Sequence, residues 1–152
     1  MLDVFLPRED VRDAFVSLKY ASIDELPRGA VVGTSSLRRR AQLRVKRPDL
    51  EVVEFRGNVQ TRLKKLEDGV ADATFLAMAG LNRMDMDHVP AHAIAPEAML
   101  PAIAQGTIGI EYRADDARAR AMVSAIHHAE TGQRLAAERA FLAALDLSLI
   151  HI

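Results

Sequence analysis

Ala30-Val31-Val32-Gly33-Thr34-Ser35-Ser36-Leu37-Arg38-Arg39-Arg40 opens the stretch that decides the fold. Ala30 to Ser35 is a short, apolar, β-branched strand. It runs through Ser36 into a helical pattern carried by Leu37, Ala41, Leu43 and Val45, which Pro48-Asp49 ends. Glu51 to Phe55 is a second strand, Arg56-Gly57-Asn58 a turn with Asn58 as N-cap, and Val59 to Asp68 a helix with Leu63 and Leu66 inward and Gly69 as its stop. Ala73 to Met78 is a third buried strand and enters a short helix at Ala79 to Arg83. Residues 30–83 therefore read as βαβαβα. Strands alternating with helices at this spacing imply an α/β fold: a parallel-type sheet with right-handed crossovers and helices on both faces.

Outside that stretch, Asp13 to Ser17 is a strand candidate and Lys19 to Arg28 a polar, turn-rich connection. Pro90, Pro96 and Pro101 punctuate a loop-rich region and suggest a boundary near residue 100. Thr107 to Tyr112 is a further strand candidate, Asp115-Asp116 opens a helix to about Ile126, and Ala129 to Leu145 is an alanine-rich amphipathic helix with Leu135, Ala136, Phe141, Leu142 and Leu145 as its apolar members. The tail Leu147 to Ile152 is apolar and uncapped, as in an interrupted chain.

Composition narrows the function classes. The chain has 152 residues, 49% hydrophobic and 27% charged, which is ordinary for a globular domain and excludes collagen, coiled coil and wholesale disorder. It has no cysteine, so a disulfide framework, a thiolate metal site, a cysteine nucleophile and a thioether-linked cofactor are all excluded on this chain. The first residues lack a basic segment followed by a long apolar run, and no run reaches bilayer length, so a cytoplasmic location and no membrane partner are expected. The net charge of −1 hides a strong asymmetry. Residues 38–65 hold ten Lys and Arg against three acids. Arginine, whose planar fork matches carboxylate or phosphate, dominates the basic residues.

Gly33 to Arg40 lies at a strand-to-helix junction, where free backbone N–H groups and the positive helix end favour an anion. Gly33 permits close approach. The hydroxyls of Thr34, Ser35 and Ser36 can bind a ligand or cap the helix, and Arg38 and Arg39 can overhang the cleft, with Arg40 turned to solvent. The competing interpretation is an N-cap followed by a solvated basic face. No G-x-x-x-x-G-K-[ST] is present, so this is not a nucleotide P-loop. A second such junction is Arg56 to Arg62, and Arg83 follows the third strand. Ligands of parallel sheets bind at the carboxyl ends of the strands. Arg38, Arg39, Arg56, Arg62 and Arg83 should thus converge there, without acids, on a ligand bearing several carboxylates or phosphates. Nucleic acid is the rival partner, disfavoured by the 5% aromatic content. Gln105-Gly106 suits a turn or a hinge. His127-His128 are adjacent, which is poor spacing for a metal and reads as a solvated helix position; scattered methionines read as core.

Pro7 to Phe15, Gly33 to Arg39, Arg56-Gly57-Asn58, Thr61-Arg62, Ala79-Gly80-Leu81 with Arg83, Leu100-Pro101-Ala102, Gln105-Gly106 and Gly109-Ile110-Glu111, in that order, resemble the hydroxymethylbilane synthase (porphobilinogen deaminase) family. The resemblance covers residues 6 to about 146. It implies a three-domain cytoplasmic transferase with a fold like type II periplasmic binding proteins, usually monomeric. Such an enzyme joins four porphobilinogen units into hydroxymethylbilane with loss of ammonia, for haem and other tetrapyrroles. It further implies residues 1–11 as the end of domain one, 12–100 as domain two, 101–125 as a return into domain one and 126–152 as the start of domain three. Thr34, Ser35, Ser36, Arg38 and Arg39 are then cofactor-side carboxylate binders. Arg56, Gly57, Asn58, Arg62 and Arg83 contact the dipyrromethane cofactor or growing polypyrrole, and Gln105 is a crossover residue near the cleft. The family's catalytic aspartate precedes the matched segment, and its cofactor-bearing cysteine falls near Leu149. On this basis the sequence is a fragment that is inactive alone, with a non-catalytic polycarboxylate-binding module as the alternative. Arg38 and Arg39, as surface residues, should matter to binding more than to stability.

Overall fold

The computed structural model of the chain describes residues 2–145. In chain order its elements are β1 (Leu2–Phe5), β2 (Asp13–Val16), β3 (Val31–Gly33), α1 (Leu37–Lys46), β4 (Glu51–Val53) and α2 (Val59–Glu67). They continue with β5 (Ala73–Ala77), α3 (Met78–Arg83), β6 (Ala91–Ala93), β7 (Gly109–Glu111), α4 (Ala117–Ser124) and α5 (Ala129–Ala144). The chain divides into two compact units, Val11–Ala102 and a second one joining the residues up to Asp10 with those from Ile103 onward.

The 11–102 unit is built on a five-stranded sheet of order β4-β3-β5-β2-β6. β4, β3 and β5 are parallel, as the βαβαβα pattern requires. β2 runs antiparallel to β5, and β6 antiparallel to β2. Antiparallel pairing needs no helical crossover, which is consistent with the helix-free connection between β2 and β3. Alternation along the strands sorts two cores. Phe15, Val32 and Phe75 face Leu43 of α1; Ala14, Val16 and Leu76 face Leu66 of α2, Leu81 of α3 and Phe55. Helices thus cover both faces. Phe15 and Phe75 are register partners and meet edge to face, with centroids 6.2 Å apart.

Two expectations for this unit need correction. The apolar stripe Leu37, Ala41 and Val45 faces outward, with Leu37 77% and Val45 85% exposed. These residues share one face at intervals of four, whereas the sheet-facing pair one turn apart is Arg39 and Leu43. The region from Pro90 to Pro96 is not all loop. Ala91–Ala93 forms β6 by pairing with the open side of β2, a tertiary effect that two alanines and a histidine do not announce.

In the other unit β1 and β7 pair antiparallel, Phe5 opposite Gly109. Asp116 caps α4 through Ala119 N–H. His127 and His128 lie between α4 and α5 rather than within a helix, His127 exposed and His128 half-buried. His127 Nδ1 accepts the Phe5 N–H (3.2 Å), and His128 Nδ1 accepts the Thr131 N–H as the N-cap of α5. Of the predicted apolar members of α5, Leu135 and Leu142 are buried, while Phe141 and Leu145 are exposed. Arg8 binds Glu138 through both Nη atoms, and Glu138 also accepts the Ala104 N–H at 2.8 Å. The predicted tail, Leu147 to Ile152 with Leu149, lies outside the described residues.

Candidate functional site: an arginine-rich sheet rim

β3, β4 and β5 all end at one rim of the 11–102 sheet, and the helices that follow them start there. The antiparallel sense of β2 brings its first residue, Asp13, to that same rim, where it pairs with Ala77 at the end of β5. Asp13 is fully buried. Its Oδ1 accepts Arg38 Nη2 (3.0 Å), Arg39 Nε (3.1 Å) and Arg39 Nη2 (2.7 Å), and Arg38 Nη1 stands 2.7 Å from its Oδ2. Arg39 completes its fork by donating Nη1 to the Phe75 carbonyl at 3.0 Å. Arg38 also donates to the Leu100 carbonyl. The Arg38 side chain is 22% exposed and that of Arg39 10%, so Arg38 is the outward member and Arg39 does not overhang a cleft.

The arginines are therefore not gathered without acids. Asp13 lies 25 residues before the arginine pair in sequence, and only the antiparallel return of β2 unites them. Nor does Arg40 turn to solvent: it is half-buried, bonding Glu54 at 3.0 Å and reaching the Thr34 carbonyl.

The hydroxyls at the junction all accept backbone N–H groups. Thr34 Oγ1 takes Ser36 N–H, Ser35 Oγ takes Phe55 N–H at 3.0 Å, and Ser36 Oγ caps α1 through Arg39 N–H. A hydroxyl that accepts can still donate its own hydrogen; that of Ser35 goes to Glu54. Gly33 lies against Phe55 so closely that a Cβ there would stand 2.4 Å from the ring. Asn58 Oδ1 caps α2 through Thr61 N–H at 2.8 Å, and Gly57, at φ +129°, offers its carbonyl to Arg62 Nε at 2.9 Å. Burial is the main cause that lowers the Arg39 pKa, against the pull of Asp13, and the charges of Arg38 and Arg62 act in the same direction as burial. Arg56 is 87% exposed and lies 3.5 Å from Glu54. Arg83 closes α3, about 8 Å of helix beyond the rim, and is exposed. Gln105 belongs to the other unit, where its carbonyl accepts Arg8 Nε. The 11–102 unit thus assembles Thr34, Ser35, Ser36, Arg38, Arg39, Gly57, Asn58 and Arg62 along neighbouring strand ends, with Arg56 and Arg83 more peripheral.

Burial by itself raises the Asp13 carboxyl. The hydrogen bond from Arg38 and the charge and hydrogen bond of Arg39 outweigh it and hold the group below the usual carboxylate range. A depressed folded pKa means that the stabilisation is complete above the unfolded value of about 4 and is lost as pH falls through the lower folded value. Urea midpoints of the chain are therefore expected to fall below about pH 4, with a smaller acid-dependent loss in Asp13→Asn. Identical pH dependence in the two proteins would contradict this.

Residues 1–121 match the family model described as "Porphobilinogen deaminase, dipyromethane cofactor binding domain". The chain belongs to the porphobilinogen deaminase family. It is 67% identical over 146 residues to the porphobilinogen deaminase of Paracoccus denitrificans (strain Pd 1222), covering 96% of this chain and 47% of that protein. It is 54% identical over 145 residues to that of Nitrobacter hamburgensis, covering 95% and 46%. The chain spans about half the length of the curated relatives it matches. Among solved structures, a periplasmic binding protein with high arginine specificity from Salmonella typhimurium shows 16% identity and a TM-score of 0.47, covering 90% of this chain and 58% of that one. At that score the likeness says nothing about the site. Among the described residues no helix is long and apolar enough to cross a membrane, and no group of three or more His, Cys, Asp or Glu could hold a metal.

Proposed function

We propose that this chain supplies the carboxylate-binding part of a hydroxymethylbilane synthase, the transferase that joins four porphobilinogen molecules with release of ammonia in tetrapyrrole synthesis. Residues 12–100 correspond to the family's second domain, 1–11 and 101–125 to parts of its first, and 126–152 to the start of its third. The observation that carries this reading is the hold of Arg38 on both oxygens, and of Arg39 through two nitrogens on one oxygen, of a carboxylate at the rim, next to the N-terminus of α1. A pair that holds the Asp13 carboxylate has the donor set for acetate or propionate side chains, each charge-assisted hydrogen bond contributing about 1.5–3 kcal/mol.

The residues fit the carboxylates of a dipyrromethane cofactor, which, when bound, supplies the terminal pyrrole that the first substrate joins. Thr34, Ser36 and Arg38 hold its acidic side chains, with Ser35, engaged by Glu54, and Arg39, engaged by Asp13, set behind them, and Arg56, Gly57, Asn58, Arg62 and Arg83 line the path of the growing chain, with Gln105 at the crossover. The 152 residues contain no cysteine, so this sequence offers no thiol for a thioether to the cofactor. By itself the chain binds and does not turn over.

Calorimetric titration tests this. Porphobilinogen should bind the chain more tightly than acetate, and Arg38→Ala should weaken it by about tenfold or more, the loss of one charge-assisted hydrogen bond. No bilane should form on incubation with porphobilinogen. Equal affinity for acetate and porphobilinogen would refute the pyrrole reading, and sustained bilane formation the claim of binding without turnover.

A further inference from the structure

We infer that Asp13 is a positioning residue of this site: it gathers Arg38 and Arg39 onto one carboxylate and so presets the place at which a ligand's acid group meets the more open Arg38. The inference rests on the binding role proposed above. Asp13 is no ligand contact itself, being wholly buried and of the same charge as the acids the site would bind. It acts through its two partners.

Three observations support the role. The first is the rigidity of the anchor. Asp13 is paired across the sheet to Ala77 on one side, and on the other its carbonyl accepts Ile94 N–H at 2.8 Å, so its carboxylate is fixed by the sheet. Arginine stems have no such restraint, and a binding group is only as well placed as the shell that supports it. The second is electrostatic. The charges of Arg38 and Arg62 both oppose that of Arg39, and a buried guanidinium without a counter-charge leaves the interior or loses its order. The third is the division of donors. Arg39 spends Nε, Nη1 and Nη2 on Asp13 and the Phe75 carbonyl, whereas Arg38 is held by Asp13 yet stays partly open to solvent.

The near-isosteric Asp13→Asn separates positioning from simple charge, because the two predict opposite signs. Removing a negative charge makes the rim more positive, so an effect through the field alone tightens binding of porphobilinogen. Loss of positioning weakens it, by about tenfold or more. The second readout is nitrogen NMR of the arginine side chains in the same two proteins. In the wild-type chain the guanidinium groups of Arg38 and Arg39 should rotate slowly, unlike that of exposed Arg44, and in Asp13→Asn both should become mobile while amide signals elsewhere stay in place. Tighter or unchanged binding by Asp13→Asn overturns the inference. So does a wild-type spectrum in which Arg38 and Arg39 rotate as freely as Arg44, a result that can be read even if the variant does not fold. If the wild-type chain binds no porphobilinogen, the functional reading fails, and the guanidinium signals alone decide whether Asp13 gathers the pair.

Discussion

Arg39→Ala is expected to lower the unfolding free energy of the 11–102 unit by about 3–5 kcal/mol, the usual cost of removing one partner from a buried ion pair. The substitution takes the inner guanidinium from the buried Asp13 carboxylate, leaving it the more exposed Arg38, and removes the donor to the Phe75 carbonyl. Arg38→Ala should cost far less, since Asp13 keeps its inner partner. The two neighbouring arginines would then separate into one whose loss is felt mainly in folding and one whose loss is felt mainly in binding. Urea denaturation of both variants checks this, and equal shifts in midpoint would contradict it. The sequence suggested surface behaviour for both. Burial of Arg39 on the sheet-facing side of α1 is the reason one of them departs from it.

The second large effect concerns Gly33 and Phe55. Phe55 is fully buried, its ring lies on Gly33 and beneath Lys65 Nζ, and its N–H is held by Ser35. Phe55→Ala should destabilise by about 3–5 kcal/mol through the cavity it leaves. Gly33→Ala should cost about 1–3 kcal/mol, because the new methyl must displace the ring. The costs should not add. With the ring gone, the methyl occupies vacated space, and Gly33→Ala in the Phe55→Ala background should be close to neutral. Additive costs in a double-mutant cycle would show that Gly33 is constrained by something other than this contact.

What could be read from the sequence followed what is local. The βαβαβα stretch, the Asn58 cap and the strand-to-helix junction at Gly33 to Arg39 are set by periodicity and by residues within a few positions of one another. In the sequence Asp13 reads merely as the start of a strand, because its partners are 25 and 26 residues away and meet it only through the direction of β2. An acid opening a strand that is otherwise apolar, Asp13 before Ala14-Phe15-Val16, is the one signal that could have flagged it: all four positions are buried, and a buried carboxylate requires a cation. β6 failed for a similar reason, its existence depending on an open strand edge rather than on its own residues. The helical stripe of Leu37, Ala41 and Val45 misled because apolar spacing identifies a face without saying which way that face turns.

The pairing of β1 with β7 brings together residues more than a hundred positions apart, and next to it the Glu9 N–H meets the Gly106 carbonyl at 2.9 Å, with Gly106 at φ +82°. Closing that ladder across an unstructured intervening segment means tying off a very long loop, at a substantial entropic cost. Once the 11–102 segment has collapsed onto its own sheet, the slack is already taken up and only short ends remain to be joined. The entropic cost of closing the ladder is therefore least along a route in which the inserted segment folds first.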